Sequence, residues 1–287
     1  MGYSGRYHAA SLAAVFVALA IGILIGIGLA DDVVSTASQE VEQSLRGDLD
    51  DAESRVDELE AEIDQRTRFD EQAGPALVAN RLERDRVALI ALGDFPDEET
   101  ATDAQDAVEA AGGELAAVAI VDLPPDLAAL RQAAGISEGN PPISPDQLGA
   151  AIGRQIPGGG PLVERVREQL FKRFNGSLDG VTHVVFVSRP PEELQADLDG
   201  DGRAFEASLI RSIDDRALGT VGVERASADP TTLPVFSSAG ISTVDNIDQI
   251  PGQVSLVLAL LGADGDFGVK EAATSLVPDL LPDPVEP

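Results

Sequence analysis

The side chains able to hold a soft metal or shuttle a proton are few: two histidines, His8 and His183, one methionine at position 1, and no cysteine. Soft metals are bound by thiolate and thioether sulfur or by imidazole, so the chain is short of such ligands along its whole length. Without cysteine there is neither a disulfide framework nor a thiolate zinc or iron–sulfur site, and the redox compartment is not encoded here. His183 lies inside the apolar run Val181–Ser188, where a satisfied core or edge histidine is the expected reading. Neither Ser188 nor Ser208 has a further histidine at triad spacing, and no H-E-x-x-H or paired-carboxylate signature occurs. The sequence therefore points away from an enzyme and implies no cofactor.

Oxygen ligands, by contrast, are abundant. Asp197, Asp199 and Asp201 in DLDGDG match the first half of a calcium loop, in which alternate carboxylates converge on a hard cation. The twelfth position is Ser208 rather than a bidentate glutamate, and a solvated acidic turn capping a helix that starts near Arg203 accounts for the pattern equally well. Gly93 in ALGDFPDEE sits where a doubly wound fold holds a phosphate, but no G-x-G-x-x-G follows, and Asp94, Asp97, Glu98 and Glu99 repel a pyrophosphate. A third polar cluster, Ser242, Thr243, Asp245, Asn246 and Asp248 in STVDNID, is either a surface loop that contacts a partner or the cap of the helix after it.

The elements that carry these residues begin with a membrane segment. From Ala9 to Ala30 the chain runs for 22 residues without a charge, which at about 1.5 Å per residue crosses a hydrocarbon core of about 30 Å. Arg6 precedes the run and Asp31 and Asp32 follow it, an asymmetry that places residues 1–8 in the cytoplasm and all that follows residue 30 outside. The alternative is a cleaved secretory signal, since Gly28-Leu29-Ala30 has the small residues of a cleavage site; the apolar run exceeds the usual signal core of about 7–15 residues, which favours a retained anchor. Gly22 and Gly26 offer a small-residue face to another membrane helix.

Residues 31–70 predict a stalk. Apolar residues recur at Val34, Ala37 and Val41 and then at Leu45, Leu49, Ala52, Val56, Leu59 and Ile63. From Leu49 onward the steps alternate between three and four, which is a heptad seam, and two successive fours from Val41 to Leu49 form a stutter. Positions between are dominated by Glu, Asp and Arg. So narrow a stripe does not stabilise a lone helix in water; it needs a second copy of this chain, another membrane protein, or the chain's own domain. Gly74-Pro75 is expected to end the helix.

Beyond that point, residues 75–277 read as an α/β domain with an open, mostly parallel sheet flanked by helices. Strands are expected at 86–92, 115–121, 181–188 and 220–224, and helices at 98–111, 162–174, 202–217 and 253–261. A Pro-, Gly- and Ala-rich helical insertion spans 123–160, with helices at 126–134 and 145–155, and 278–287 form a proline-broken tail. The 287-residue chain carries a formal net charge of -30. A surface this acidic, lacking a basic stripe, excludes nucleic acid as a partner.

Two stretches carry a family resemblance: His8 to Ala20 (HAASLAAVFVALA) with the glycine-spaced run after it, and Ile241 to Asp248 continuing through Pro251 to Leu260. Both resemble the mycobacterial copper transport protein B (MctB) family of actinobacterial cell envelopes, and the order of anchor, coiled coil and α/β domain is similar across nearly the whole chain. The resemblance implies copper efflux or copper tolerance at the envelope. It also implies a second role, because the family includes a protein of cell separation that acts with a membrane-bound partner to control peptidoglycan hydrolases. The ligand shortage favours this scaffold role over a metal conduit.

Overall fold

The computed structural model describes residues 4–93, 98–136, 143–188 and 198–279, with the side chains of residues 4–6, 27–42, 98 and 188 left out. Asp94, Asp97 and Asp197 lie outside the described residues, as does the tail from residue 280. For Arg6, Asp31, Asp32, Val34, Ala37 and Val41 only the backbone is described. The chain divides into two units, Met1–Thr67 and Arg68–Pro287.

The first unit is helix α1, which runs from Ser4 to Val78 and so contributes its last turns to the second unit. Tyr7–Gly26 is 20 residues long with mean hydropathy 2.5 and is unburied throughout, so it has the length and composition to cross a bilayer. The expected stop at Gly74-Pro75 is not where the helix ends: Pro75 lies inside it. The final turn is held by packing, for a Cβ on Gly74 would stand 2.2 Å from Ile250 Cγ2, and only glycine allows that approach.

The second unit is built on a seven-stranded sheet of order β3-β2-β1-β4-β5-β6-β7. Its strands are β1 Arg86–Leu92, β2 Glu114–Val121, β3 Phe171–Gly176, β4 His183–Ser188, β5 Gly219–Val223, β6 Ser242–Val244 and β7 Asp266–Phe267. All pairings are parallel except β2 with β3. The helices are α2 Glu98–Ala110, α3 Leu127–Ala133, α4 Pro145–Gly153, α5 Pro161–Leu170, α6 Gly200–Asp214, α7 Pro234–Ser237 and α8 Ile250–Leu260. The mixed α/β class and the open, mostly parallel sheet are thus as the sequence predicts.

Strand β1 is apolar on both faces because both faces are covered. Ala88, Ile90 and Leu92 join a core with residues of α3 to α7, whereas Val87 and Leu89 join a second core with α2, α8, Val78 and Leu82. Each fully buried Leu or Ile contributes about 2–3 kcal/mol. On the first face Gly149 and Gly153 let α4 press onto α6, where an added Cβ would meet the Phe205 and Leu209 carbonyl oxygens at 2.3 and 2.5 Å. Phe186 of β4 stacks on Phe236 of α7 with centroids 5.4 Å apart, and Gly222 of β5 leaves room for that ring.

The predicted helix over 162–174 is half wrong. It stops at Leu170, and Phe171 turns extended to start β3, the antiparallel edge strand. The spacing of Leu170, Phe171 and Phe174 fits a helix as well as a bulged strand. Pairing with the otherwise open edge of β2 and the stacking of Phe171 on Phe174 at 5.3 Å decide for the strand.

Candidate functional site

The STVDNID segment is not a surface loop. Ser242, Thr243 and Val244 are strand β6, and Thr243, Asp245 and Asn246 are buried. Most of its polar atoms are spent on neighbouring backbone and side chains, and Asn246 Oδ1 is buried with no hydrogen-bond partner among the described residues. Ser242 Oγ donates to the Ala263 carbonyl and accepts from Gly265 N, both at 3.2 Å. Thr243 Oγ1 donates to Asp266 Oδ1. Asp245 accepts from the amides of Val269 at 2.7 Å and Lys270 at 2.9 Å, so its carboxylate shapes the turn after β7. Gly268 in that turn has φ +139°, and an added Cβ would stand 1.9 Å from Asp245 Oδ1. Asp248 accepts from Ala226 N at 2.8 Å. Asn246 donates through Nδ2 to Gln249 Oε1 at 3.3 Å.

Beside this segment, at the carboxyl end of β5, lies a group that sequence reasoning missed. Glu224 is 1% exposed, and a buried charge must be paired and hydrogen-bonded. It accepts from Thr231 Oγ1 at 2.7 Å, from Thr232 N at 2.6 Å and from Thr232 Oγ1 at 3.0 Å. The Lys270 ammonium completes the shell at 2.6 Å and also donates to the Ala228 carbonyl at 2.5 Å. Next along the chain, Arg225 forms ion pairs with Glu99 and with Asp103, which ties the end of β5 to α2. The available signals were a glutamate closing the apolar run GTVGVE and a lysine in a chain that has only Lys172 and Lys270.

Over β6 and β7 these residues frame a cavity of about 410 Å³. Leu233, Pro234 and Phe267 supply apolar wall, while Asp245, Asp266 and Glu271 bring carboxylates to it. A neighbouring cavity of about 300 Å³ shares Ser237 and Asp266 with it. The first reaches the carboxyl ends of β6 and β7 through Asp245, Phe267 and Lys270, the side where open α/β folds bind ligands, and the second is lined by Gly240, Ile241, Asp264 and Gly265 at their amino ends. Residues 94–97 and 189–197, which follow β1 and β4 at the switch point of the sheet, lie outside the described residues.

The remaining predicted positions are scattered. Asp199 caps α6, accepting from Gly202 N at 2.7 Å, and Asp201 stands in the first helical turn. His183 is buried at the amino end of β4, with Nδ1 2.9 Å from Thr182 Oγ1 and 3.9 Å from Asp85 Oδ1. Burial holds its pKa below the ordinary value, and the Asp85 carboxylate opposes that shift. Among the described residues no three His, Cys, Asp or Glu side chains converge as a metal site. On α1 the predicted seam lies open: Leu45, Leu49, Val56, Leu59 and Ile63 are 51–62% exposed, and Ala52 is exposed too.

An apolar helix of membrane-spanning length ahead of a doubly wound sheet, with a buried carboxylate hub in place of any recognisable catalytic or metal constellation among the described residues, defines a membrane-anchored α/β protein. Its family is shown by comparison: residues 3–134 and 163–278 match the model of the family described as "Copper transport outer membrane protein, MctB", and the chain belongs to it. The Copper transporter MctB proteins of Mycobacterium tuberculosis (strain H37Rv) and Mycobacterium bovis are each 26% identical to it over 316 residues, covering 94% of this chain and 98% of theirs. The match passes over 135–162, a stretch that includes α4. Both the anchor and the STVDNID segment fall inside it.

Proposed function

We propose that this protein is a membrane-tethered scaffold of the envelope, whose stalk pairs through Leu45, Leu49, Ala52, Val56, Leu59 and Ile63 with a second copy of the chain, and that it serves copper handling by assembly rather than by ligating the metal. The observation that carries this reading is the exposed seam on a helix that also holds the anchor. Apolar side chains left more than half exposed at three- and four-residue steps gain burial only from another helix, and Val56 and Ile63 alternating with Leu59 suit a two-stranded coil. In this reading the domain stands outside the membrane and has no catalytic activity.

Because the chain has no cysteine, a single introduced thiol is unambiguous. Leu49→Cys or Val56→Cys in native membranes is expected to give a disulfide-linked dimer on mild oxidation, and Asp57→Cys, off the seam, is not. Equal linkage at all three positions, or none, refutes the pairing. A benzophenone maleimide on the same thiols distinguishes a second membrane protein as the partner.

The second reading is direct copper transport, favoured by the names of the family and of the mycobacterial relatives. The ligand inventory stands against it: carboxylates are poor copper-selective donors, and a single helix makes no pore. Selective, tight copper binding by the full chain in nanodiscs decides for this reading and against the scaffold.

A further inference from the structure

The paired cavities over β6 and β7 have no part in the scaffold reading. We propose that they bind a lysine or arginine side chain presented by a partner polypeptide, whether or not the stalk self-associates.

The wall is pre-formed. The turn from Gly268 to Ser275 is pinned at both ends, by Gly268 N to the Ser275 carbonyl at 2.9 Å and by Thr274 N to the Asp266 carbonyl at 2.7 Å. It is pinned near its start by the Val269 and Lys270 amides that Asp245 receives. A cavity that does not have to be ordered on binding loses less of its interaction energy to entropy.

The occupant follows from the lining. Leu233, Pro234, Phe267, Ala272 and Ala273 form an apolar slot, which suits the methylene stem of a long basic side chain. Charge selects the head group. Asp245, Asp266 and Glu271 line the cavity with Lys270 as the one cation among the described lining residues, and that ammonium is already matched by Glu224 at 2.6 Å. The uncompensated field is therefore negative, and an ammonium or guanidinium restores balance. A bare metal ion is a poor occupant: Asp245 holds two amides and Asp266 the Thr243 hydroxyl. A polypeptide rather than a free amine is indicated by the second cavity, lined by Gly240, Ile241, Ser242, Asp264 and Gly265, which shares Ser237 and Asp266 with the first and gives a flanking backbone somewhere to lie.

The test is ligand-observed saturation-transfer NMR on the full chain in nanodiscs with acetyl-Ala-Lys-Ala-amide, its norleucine analogue, its glutamate analogue and free pentylamine. The lysine peptide is expected to bind about tenfold more tightly than the norleucine peptide, with the glutamate peptide weakest. Glu271 and Ser237 are exposed, so Glu271→Gln and Ser237→Trp leave the fold intact. They are expected to weaken the lysine peptide about fivefold, the first by removing charge and the second by filling the slot. Equal binding of lysine and norleucine peptides, or unchanged binding in Ser237→Trp, overturns the site. Pentylamine binding as tightly as the peptide overturns the polypeptide part of the proposal. None of these outcomes bears on whether Val56→Cys crosslinks.

Discussion

Removing the Lys270 ammonium isolates the Glu224 charge at the end of β5. Glu224 is 1% exposed and has four donors, of which Lys270 is the only charged one. Deleting one partner of a buried pair costs about 3–5 kcal/mol. The Lys270 side chain is 21% exposed and three neutral donors remain, so Lys270→Met belongs at the low end, about 3 kcal/mol. For a domain of this size that lowers Tm by about 6–12 °C. Glu224→Gln with Lys270→Met removes both charges and keeps an acceptor for the threonines, so the double variant is expected to recover about 2 kcal/mol relative to the sum of the singles. Far-UV circular dichroism melts of the full chain in detergent, closed into a double-mutant cycle, give both numbers. A Lys270→Met protein melting within about 2 °C of the parent, or a coupling energy near zero, refutes the view of Glu224 as a paired buried charge.

Four further outcomes are expected. Gly268→Ala combines φ +139° with a Cβ 1.9 Å from Asp245 Oδ1 and is expected to cost about 3 kcal/mol or more in chemical denaturation. Gly149→Val drives a branched side chain into the Phe205 carbonyl, 2.3 Å from the Cβ position, and is expected to destabilise by more than about 3 kcal/mol, while Gly200→Ala, with nothing within 4 Å, stays within about 0.5 kcal/mol. Because burial lowers the His183 pKa from its ordinary value of 6.5, the unfolded chain binds its proton first: stability is full above pH 6.5, falls as pH drops below it, and the slope flattens in His183→Gln, as pH-dependent unfolding will report. Asp199→Ala removes the α6 cap and is expected to cost about 1 kcal/mol with or without calcium; a calcium-induced rise in Tm that the variant loses would make the DLDGDG turn a cation site.

The sequence made the sheet legible where both faces are covered, since runs such as RVALIAL admit few other readings. It failed where tertiary pairing overrode local pattern. Phe171 to Gly176 has helical spacing yet completes the edge of β2, and Gly74-Pro75 carries a helix-stop signal that packing against Ile250 overrides. Strands as short as Ser242–Val244 and Asp266–Phe267 have no periodicity to detect. The STVDNID residues were visible as a polar cluster, but whether they face solvent or the interior depends on β7 and the Gly268 turn, which no local pattern announces. Glu224 and Lys270 escaped for the same reason: 46 residues separate the two ends of that ion pair.

That separation has a consequence for synthesis. Glu224 and Asp245 emerge from the ribosome well before Lys270, which lies 46 residues after the first and 25 after the second. Until the turn following Phe267 is translated, Asp245 lacks both of its amide donors and Glu224 its charged one, and the half of the sheet that carries them has reason to stay open. A nascent chain interrupted ahead of Val269 therefore lacks the closing donors of the hub, and the same few residues that supply them act as a length check on the finished polypeptide.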